Sequence, residues 1–172
     1  MLRRIKHYGD VASVRLNQVT GWVCIILVLT MTAEVIVAVF FRYALDAPIK
    51  WGEELARFLM VWAGLLGISI ALKEGDHIGL EMLTRKLRGR ALVWCKLLAS
   101  CVVALFLIIL LLWGIQISKS AWNTVLPALQ IKWTWSHLAV PVTAAIQLVH
   151  LFDGMLADVI RLLDFEGEMP AG

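Results

Sequence analysis

The sequence predicts an all-α membrane protein with four transmembrane helices and further amphipathic helices at the membrane surface. Of its 172 residues, 60% are hydrophobic and only 17% are charged, and the mean hydropathy is +0.81. A water-soluble domain cannot cover so much apolar surface. The apolar residues form four runs, each long enough to cross about 30 Å of hydrocarbon. Several of the eight Trp flank these runs, as amphipathic rings do at a membrane–water boundary.

The four spans are predicted at about residues 19–41, 52–72, 94–117 and 136–160 of a single membrane domain that covers residues 1–172. Residues 1–18 form an arm before the first span, and residues 161–172 form a tail. The first run is too long for a cleaved signal peptide and contains Glu34. No internal repeat is visible, so the chain does not show the repeated halves that are common in secondary transporters.

Two segments are predicted to lie in the membrane interface. In the arm, apolar and small residues recur every three or four positions, with the charged residues outside that stripe. The segment "DHIGLEMLTRKLRGR" between spans two and three has the same character. Their basic side chains are expected to bind phospholipid headgroups. These side chains are Arg3, Arg4, Lys6, Arg15, Arg85, Lys86, Arg88 and Arg90.

The same basic residues predict the orientation. Lys and Arg are concentrated in the arm and in the second connection, whereas the first and third connections hold few. Because cytoplasmic connections carry the excess of Lys and Arg, both termini are predicted to be cytoplasmic. The net charge of +3 is modest and lies in blocks beside apolar runs, so no nucleic-acid partner is expected.

Glu34 is the acidic residue well inside the first span, and such a residue is a functional hypothesis by default. It lies about 10 Å below the outer boundary, at the depth expected for Arg57 in span two. One interpretation makes Glu34 half of a structural ion pair with Arg57. The other makes it a carboxylate that couples transport to protons or cations. Local pairs of Arg57 with Glu53 or Glu54 compete with the first interpretation.

Other polar and small residues favour structural roles. Ala63, Gly67 and Ala71 form one stripe on span two, which is typical of close helix packing in lipid. His150 and Asp153 on span four could begin a metal site, but no third ligand is evident. The sequence contains no recognisable catalytic constellation. We therefore expect neither an enzyme nor a protein-bound metal or cofactor.

The stretch "FRYALDAPIKWGEELARF", together with "VWAGLLGISIALKEGDHIGLEML", resembles the small DctQ-type membrane subunit of tripartite ATP-independent periplasmic (TRAP) transporters. Glycine-containing elements match at Gly67 to Ala71 and at Gly75 to Ile78. The segment "LPALQIKWTWSHLAVPV" is also similar, although Gln130 and Lys132 replace the more usual Gly and Pro. The matching residues around the first connection are Arg42, Tyr43, Trp51, Glu53, Glu54, Ala56 and Arg57.

The resemblance implies a multi-pass protein of the bacterial inner membrane that works with two partners. A large membrane subunit would hold the sodium ions and the substrate and move them in an elevator fashion. A periplasmic binding protein would deliver an organic acid, such as a C4-dicarboxylate or sialic acid, for uptake driven by an ion gradient. The small subunit would brace the large one and help to dock the binding protein.

The outer rim is the expected docking surface. It consists of Arg42, Tyr43, Lys50, Trp51, Glu53 and Glu54. An alternative is that its two Glu only solvate a helix N-terminus and favour the helix dipole. For the chain as a whole, two other functions stay open from the residues alone. One is a small proton-coupled multidrug exporter that uses Glu34, and the other is a structural subunit of a different membrane complex.

Overall fold

The computed structural model describes residues 2–74 and 90–167, and within them the side chains of residues 9–74 and 92–160. Every regular element there is helical. The helices are α1 (Leu2–Tyr43), α2 (Gly52–Glu74), α3 (Arg90–Ser120), the short α4 (Thr134–His137) and α5 (Ala139–Gly167), with a 3-10 helix at Ala121–Asn123 after α3.

Four of these helical regions are long and apolar enough to cross a membrane, which confirms the predicted all-α class and gives four candidate membrane spans. They are Gly9–Tyr43, Gly52–Glu74, Leu92–Asn123 and Thr134–Ile160. Pro141 lies in the first turn of α5, where the backbone N–H groups have no partner inside the helix, so its missing donor costs little.

Helix α1 differs from the prediction at its beginning. The arm, residues 1–18, was expected to be separate from the first span, but α1 runs without interruption from Leu2 to Tyr43. No proline occurs in this stretch, so nothing forces the helix to end where the composition changes. The 42 residues of α1 extend over about 63 Å at 1.5 Å per residue. The buried Ser13 and Thr20 show that this part of α1 packs on the rest of the protein.

Helix α5 is the centre of the arrangement. It packs against α1, α2 and α3, and α1 also packs along α2. The contact between α3 and α5 is close because of Gly114. A Cβ atom built on this glycine would lie 2.9 Å from Cδ of Pro141 and 3.3 Å from Cγ1 of Val140. A side chain at position 114 would therefore push α3 away from α5.

The interior contains many small side chains beside a few leucines, and most of the large apolar side chains of α1 and α3 point outward. Ala139, Ala144, Thr143 and Ser69 are almost completely buried. In contrast, large apolar side chains along α1 and α3 are exposed, and no residue in the most apolar stretch of α1 is buried within the chain. These faces are suited to lipid or to another membrane protein rather than to water.

The second predicted interfacial segment, residues 76–90, lies outside the described residues except for Arg90, the first residue of α3. Arg85, Lys86 and Arg88 belong to it, and the side chain of Arg90 is also not described. In the arm, the side chains of Arg3, Arg4 and Lys6 fall outside the description as well. Arg15 is described and is exposed on α1.

Candidate functional site

The outer rim connects α1 to α2 at one end of the molecule. Nη2 of Arg42, in the last turn of α1, donates to Oε1 of Glu53, in the first turn of α2, over 2.9 Å. The two side chains are 54% and 71% exposed. An ion pair so open to solvent contributes at most about 1 kcal/mol. It helps to set the register of the two helix ends but is not a strong clamp.

Glu54 has a different partner from its neighbour. Its Oε2 accepts hydrogen bonds from the backbone N–H groups of Ala128 and Leu129, each over 3.0 Å. Successive helical residues point about 100° apart, so Glu53 faces α1 while Glu54 faces the loop between α3 and α4. The carboxylate of Glu54 therefore ties α2 to a segment more than 70 positions away, and is not merely a solvated charge at the helix N-terminus.

The segment that Glu54 holds, residues 124–133, is a compact turn that we call the outer loop. Val125 and Lys132 form an antiparallel bridge, and Leu126 N donates to Ile131 O over 2.9 Å. Gln130 has a φ of 54°, in the left-handed region that favours glycine. The Gly that the family resemblance implies at this position would suit this backbone conformation.

Aromatic side chains surround the outer loop and the outer rim. Lys132 places its ammonium 3.6 Å from the ring centroid of Trp122, which is a cation–π contact. Nε1 of Trp62 on α2 donates to the backbone oxygen of Trp135 on α4 over 3.1 Å. At the rim, Tyr43 is 80% exposed and Trp51 is 45% exposed. Lys50 is exposed as well.

The predicted ion pair between Glu34 and Arg57 is not formed. Arg57 is exposed, and among the described residues the side-chain ion pairs are Arg42–Glu53 and Lys73–Asp153. Glu34 instead turns toward the start of α2. A Cβ atom built on Gly52 would lie 2.6 Å from its Oε1, so the carboxylate packs in the space left by that glycine. The sequence predicts the same depth for the two residues, but their helices do not turn them toward each other.

Glu34 lies in a groove between α1 and α2 just below the outer rim. The groove has a volume of about 210 Å³, and its walls include Val35, Ala38 and Ile49 in addition to Glu34 and Gly52. Oε2 of Glu34 is buried and has no hydrogen-bond partner among the residues that the structure describes.

The predicted packing stripe on α2 is only partly at a contact within this chain. Ala63 is buried, whereas Ala71 is exposed. A Cβ atom added to Gly67 would meet nothing within 4 Å. The close approaches made possible by glycine occur at Gly9, Gly52 and Gly114 instead. A role of Gly67 and Ala71 at another membrane surface stays a prediction.

A polar cluster at the opposite end of the bundle was missed from the sequence. Nζ of Lys73 donates to Oδ2 of Asp153 over 2.9 Å, and the Asp153 side chain is only 5% exposed. Oγ of Ser13 and Nδ1 of the buried His150 are hydrogen-bonded at 2.8 Å. We name Ser13, Lys73, His150 and Asp153 the inner polar cluster. It joins α1 and α2 to α5.

A signal for the inner polar cluster was present in α5. Its buried polar residues Thr143, Gln147, His150 and Asp153 recur every three or four positions, which places them on one face of a helix. Among the described residues, no third ligand completes the metal site that was considered for His150 and Asp153. Within the described residues, no group of three or more His, Cys, Asp or Glu side chains is arranged to hold a metal ion.

Comparison with known proteins agrees with these features. Residues 31–162 match the model of a family described as tripartite ATP-independent periplasmic transporters, DctQ component. The chain is 24% identical over 156 residues to the sialic acid TRAP transporter permease protein SiaT of Haemophilus influenzae, an alignment that covers 91% of this chain and 25% of that protein.

Two shorter relatives are also similar. A putative TRAP transporter small permease protein of Haemophilus influenzae is 29% identical over 87 residues, covering 51% of this chain and 50% of the relative. The sialic acid TRAP transporter small permease protein SiaQ of Vibrio cholerae is 29% identical over 101 residues, covering 59% of this chain and 58% of the relative. The alignments thus span between a quarter and about three-fifths of the relatives' lengths.

The family match covers most of the four-span region and includes Glu34, the outer rim, the outer loop and most of α5. It favours the transporter subunit over the multidrug exporter and over a subunit of an unrelated complex. It also agrees with the absence of a catalytic motif. The chain belongs to the DctQ family, the small permease component of TRAP transporters, and is not an enzyme.

Proposed function

We propose that this chain is the stationary membrane brace of a TRAP transporter. It supports a large elevator-type subunit and helps to dock a periplasmic binding protein, during uptake of an organic acid driven by an ion gradient. The observation that carries this proposal is the outward-facing apolar surface of α1 and α3. Beyond lipid contact, such a surface is suited to a second membrane protein.

The interior of the bundle supports a static role. Ser69 donates to the backbone oxygen of Thr143, and the inner polar cluster joins Ser13 to His150 and Lys73 to Asp153. Polar groups that bond to one another between helices fix those helices together. A brace that must resist the movement of its neighbour requires this kind of internal tie.

The outer end supports a docking role. The outer loop is held by Glu54 through two hydrogen bonds, and its Lys132 contacts the exposed Trp122. Tyr43 and Trp51 of the outer rim are also exposed. A surface that is ordered before binding loses less conformational entropy when a partner docks. Large aromatic side chains are also enriched where proteins bind each other. The outer rim and the outer loop together form the proposed contact surface for the binding protein.

The orientation follows from the charge distribution of the connections. We place both termini in the cytoplasm and the outer rim in the periplasm of a bacterial inner membrane. The basic residues of the arm and of the second connection would then contact phospholipid headgroups on the cytoplasmic side. The coupling sodium ions and the organic acid belong in this proposal to the large subunit. The names of two relatives make sialic acid a substrate to test beside C4-dicarboxylates.

The deciding experiment is reconstitution with and without this chain. The tagged chain should co-purify with a large multi-span membrane protein. Liposomes that hold both subunits, with the binding protein added outside, should take up an organic acid when a sodium gradient is applied. Liposomes that hold the large subunit alone should show much less uptake. Solute movement by this chain alone, or drug-dependent proton release from its self-dimers, would overturn the proposal.

A further inference from the structure

We propose that Glu34 is an interaction site for a cationic side chain, Lys or Arg, of the large membrane subunit. This inference rests on the proposed function, because it assigns one contact within that complex. Ionisable residues inside a membrane are normally paired with an opposite charge or with hydrogen-bonding groups. Within the residues that the structure describes, Glu34 has no such partner, and its Oε2 is buried without a hydrogen bond.

The groove around Glu34 has room for the partner. Its volume is about 210 Å³, and its lining is mainly apolar apart from Glu34 and the charged residues at the outer end. Arg42 lies on that lining, but its guanidinium is engaged with Glu53. In this arrangement Arg42 is paired with Glu53 and not with Glu34, so the carboxylate of Glu34 is available to an outside group. An ammonium or guanidinium group in this low-dielectric setting would gain more from the pairing than it would in water.

Gly52 fixes where the carboxylate sits. Because position 52 has no Cβ, Oε1 of Glu34 can lie against the start of α2, at 2.6 Å from the place that a Cβ would occupy. The carboxylate is thus held at the base of the groove rather than extended into lipid. This arrangement presents a localised negative charge about 10 Å below the predicted outer boundary, deeper than the level of the lipid headgroups.

The surroundings favour a membrane protein as the source of the cation. Val35 and Val39 line the groove and are 43% and 50% exposed. They continue the apolar face of α1 that the proposed function assigns to the large subunit. A helix that packs on this face would bring its side chains into the groove at the depth of Glu34. Two other occupants, an amino lipid and a small inorganic cation, become outcomes of the test.

The first measurement is co-purification in detergent. The Glu34→Gln variant keeps the shape of the side chain and removes its charge, so we expect at least a five-fold loss of the large subunit recovered with the tagged chain. The control is Glu74→Gln, which makes the same change at an exposed carboxylate in the last turn of α2. Glu74→Gln should recover the large subunit within about two-fold of the wild type. Circular dichroism of each isolated variant verifies that the chain is folded.

The second measurement reports on the carboxylate itself. Dicyclohexylcarbodiimide, an apolar reagent that modifies membrane carboxyl groups, should label Glu34 in the isolated chain, and mass spectrometry identifies the labelled peptide. In the two-subunit complex the labelling should fall at least five-fold. Labelling that is equal in both samples would overturn the inference, as would recovery of the large subunit by Glu34→Gln at the wild-type level.

Protection of Glu34 from labelling in the isolated chain distinguishes the two other possible occupants, an amino lipid and an inorganic cation. Protection in phosphatidylethanolamine vesicles but not in phosphatidylcholine vesicles would assign Glu34 to a lipid amine. Protection by sodium ions in detergent would assign it to an inorganic cation. Either result overturns the choice of a protein side chain. If the wild-type chain recovers no large subunit at all, the proposed function itself fails.

Discussion

Nζ of Lys73 lies 2.9 Å from Oδ2 of Asp153, across 80 positions of sequence, and joins the last turn of α2 to the middle of α5. The two side chains are 21% and 5% exposed. The other ion pair between described side chains, Arg42–Glu53, has the same length but is open to solvent. Comparing the two pairs therefore measures, within one molecule, how burial changes the contribution of an ion pair to stability.

Replacing Lys73 by Met should destabilise the chain strongly, because the buried carboxylate of Asp153 loses its counter-charge. Breaking a buried pair from one side costs about 3–5 kcal/mol, and the partial exposure of Lys73 favours the lower end of that range. Thermal unfolding in detergent measures the effect. Arg42→Met is the matched control and should cost no more than about 1 kcal/mol. Equal losses in the two variants would contradict the role assigned to burial.

The double variant Lys73→Met with Asp153→Leu extends this comparison. Replacing both charges with apolar groups removes the unpaired carboxylate, so a large part of the stability lost in Lys73→Met should return. The sum of the two single effects should exceed the effect of the double change. Strict additivity would mean that Lys73 and Asp153 do not interact in the membrane.

Replacing Glu54 by Gln should loosen the outer loop. A carboxylate that accepts two backbone N–H bonds is a strong acceptor, and Gln keeps one oxygen without the charge. We expect faster hydrogen exchange at the amides of Ala128 and Leu129, by at least ten-fold. Glu53→Gln is the neighbouring control and should leave both amides unchanged. Protection that persists in Glu54→Gln would show that the loop orders itself without α2.

Position 130 should prefer glycine over a branched residue. Gln130 has a φ of 54°, and holding a non-glycine residue in the left-handed region costs about 1–2 kcal/mol. Gln130→Gly should therefore be at least as stable as the wild type, even though it loses the 2.7 Å hydrogen bond from Nε2 to Pro127 O. Gln130→Val should be less stable than both, because a β-branched residue tolerates this backbone poorly. Thermal unfolding of the three chains gives the order.

A side chain at Gly114 should separate α3 from α5. In Gly114→Ala the new Cβ would meet Cδ of Pro141 at 2.9 Å and its backbone N at 3.2 Å, and a proline ring cannot rotate away. Overpacking of this kind costs about 1–3 kcal/mol. Gly64→Ala is the matched control, because a Cβ there meets nothing within 4 Å and alanine favours the helix. A destabilised Gly64→Ala with an unaffected Gly114→Ala would contradict the packing described.

The number and approximate positions of the spans were predictable because they depend on local composition. An apolar run long enough to cross the hydrocarbon is read directly from the sequence, and the four runs correspond to four long helices. The beginning of α1 was not predicted. The change from an amphipathic to a fully apolar pattern near residue 18 suggested a boundary, but a change in pattern does not by itself interrupt backbone hydrogen bonding.

Contacts between helices were harder to predict, because they depend on how each helix is rotated about its axis. The sequence predicts the same depth for Glu34 and Arg57, yet Arg57 is exposed and Glu34 turns to Gly52. In the sequence Glu53 and Glu54 form one acidic pair, whereas in the structure their partners are Arg42 and the outer loop respectively. Depth follows from sequence position, whereas the direction of a side chain follows from the tertiary packing.

The length of α1 has a mechanical consequence. At a tilt of about 40°, near the upper limit for transmembrane helices, its roughly 63 Å would still cover about 48 Å along the membrane normal, well beyond about 30 Å of hydrocarbon. A small change in the tilt of this long helix therefore moves its far end by a large distance. Ten degrees of tilt about Tyr43 would carry Leu2 sideways by about 11 Å. The position of a spin label near Leu2, measured while the transporter turns over, would therefore show whether this subunit stays fixed.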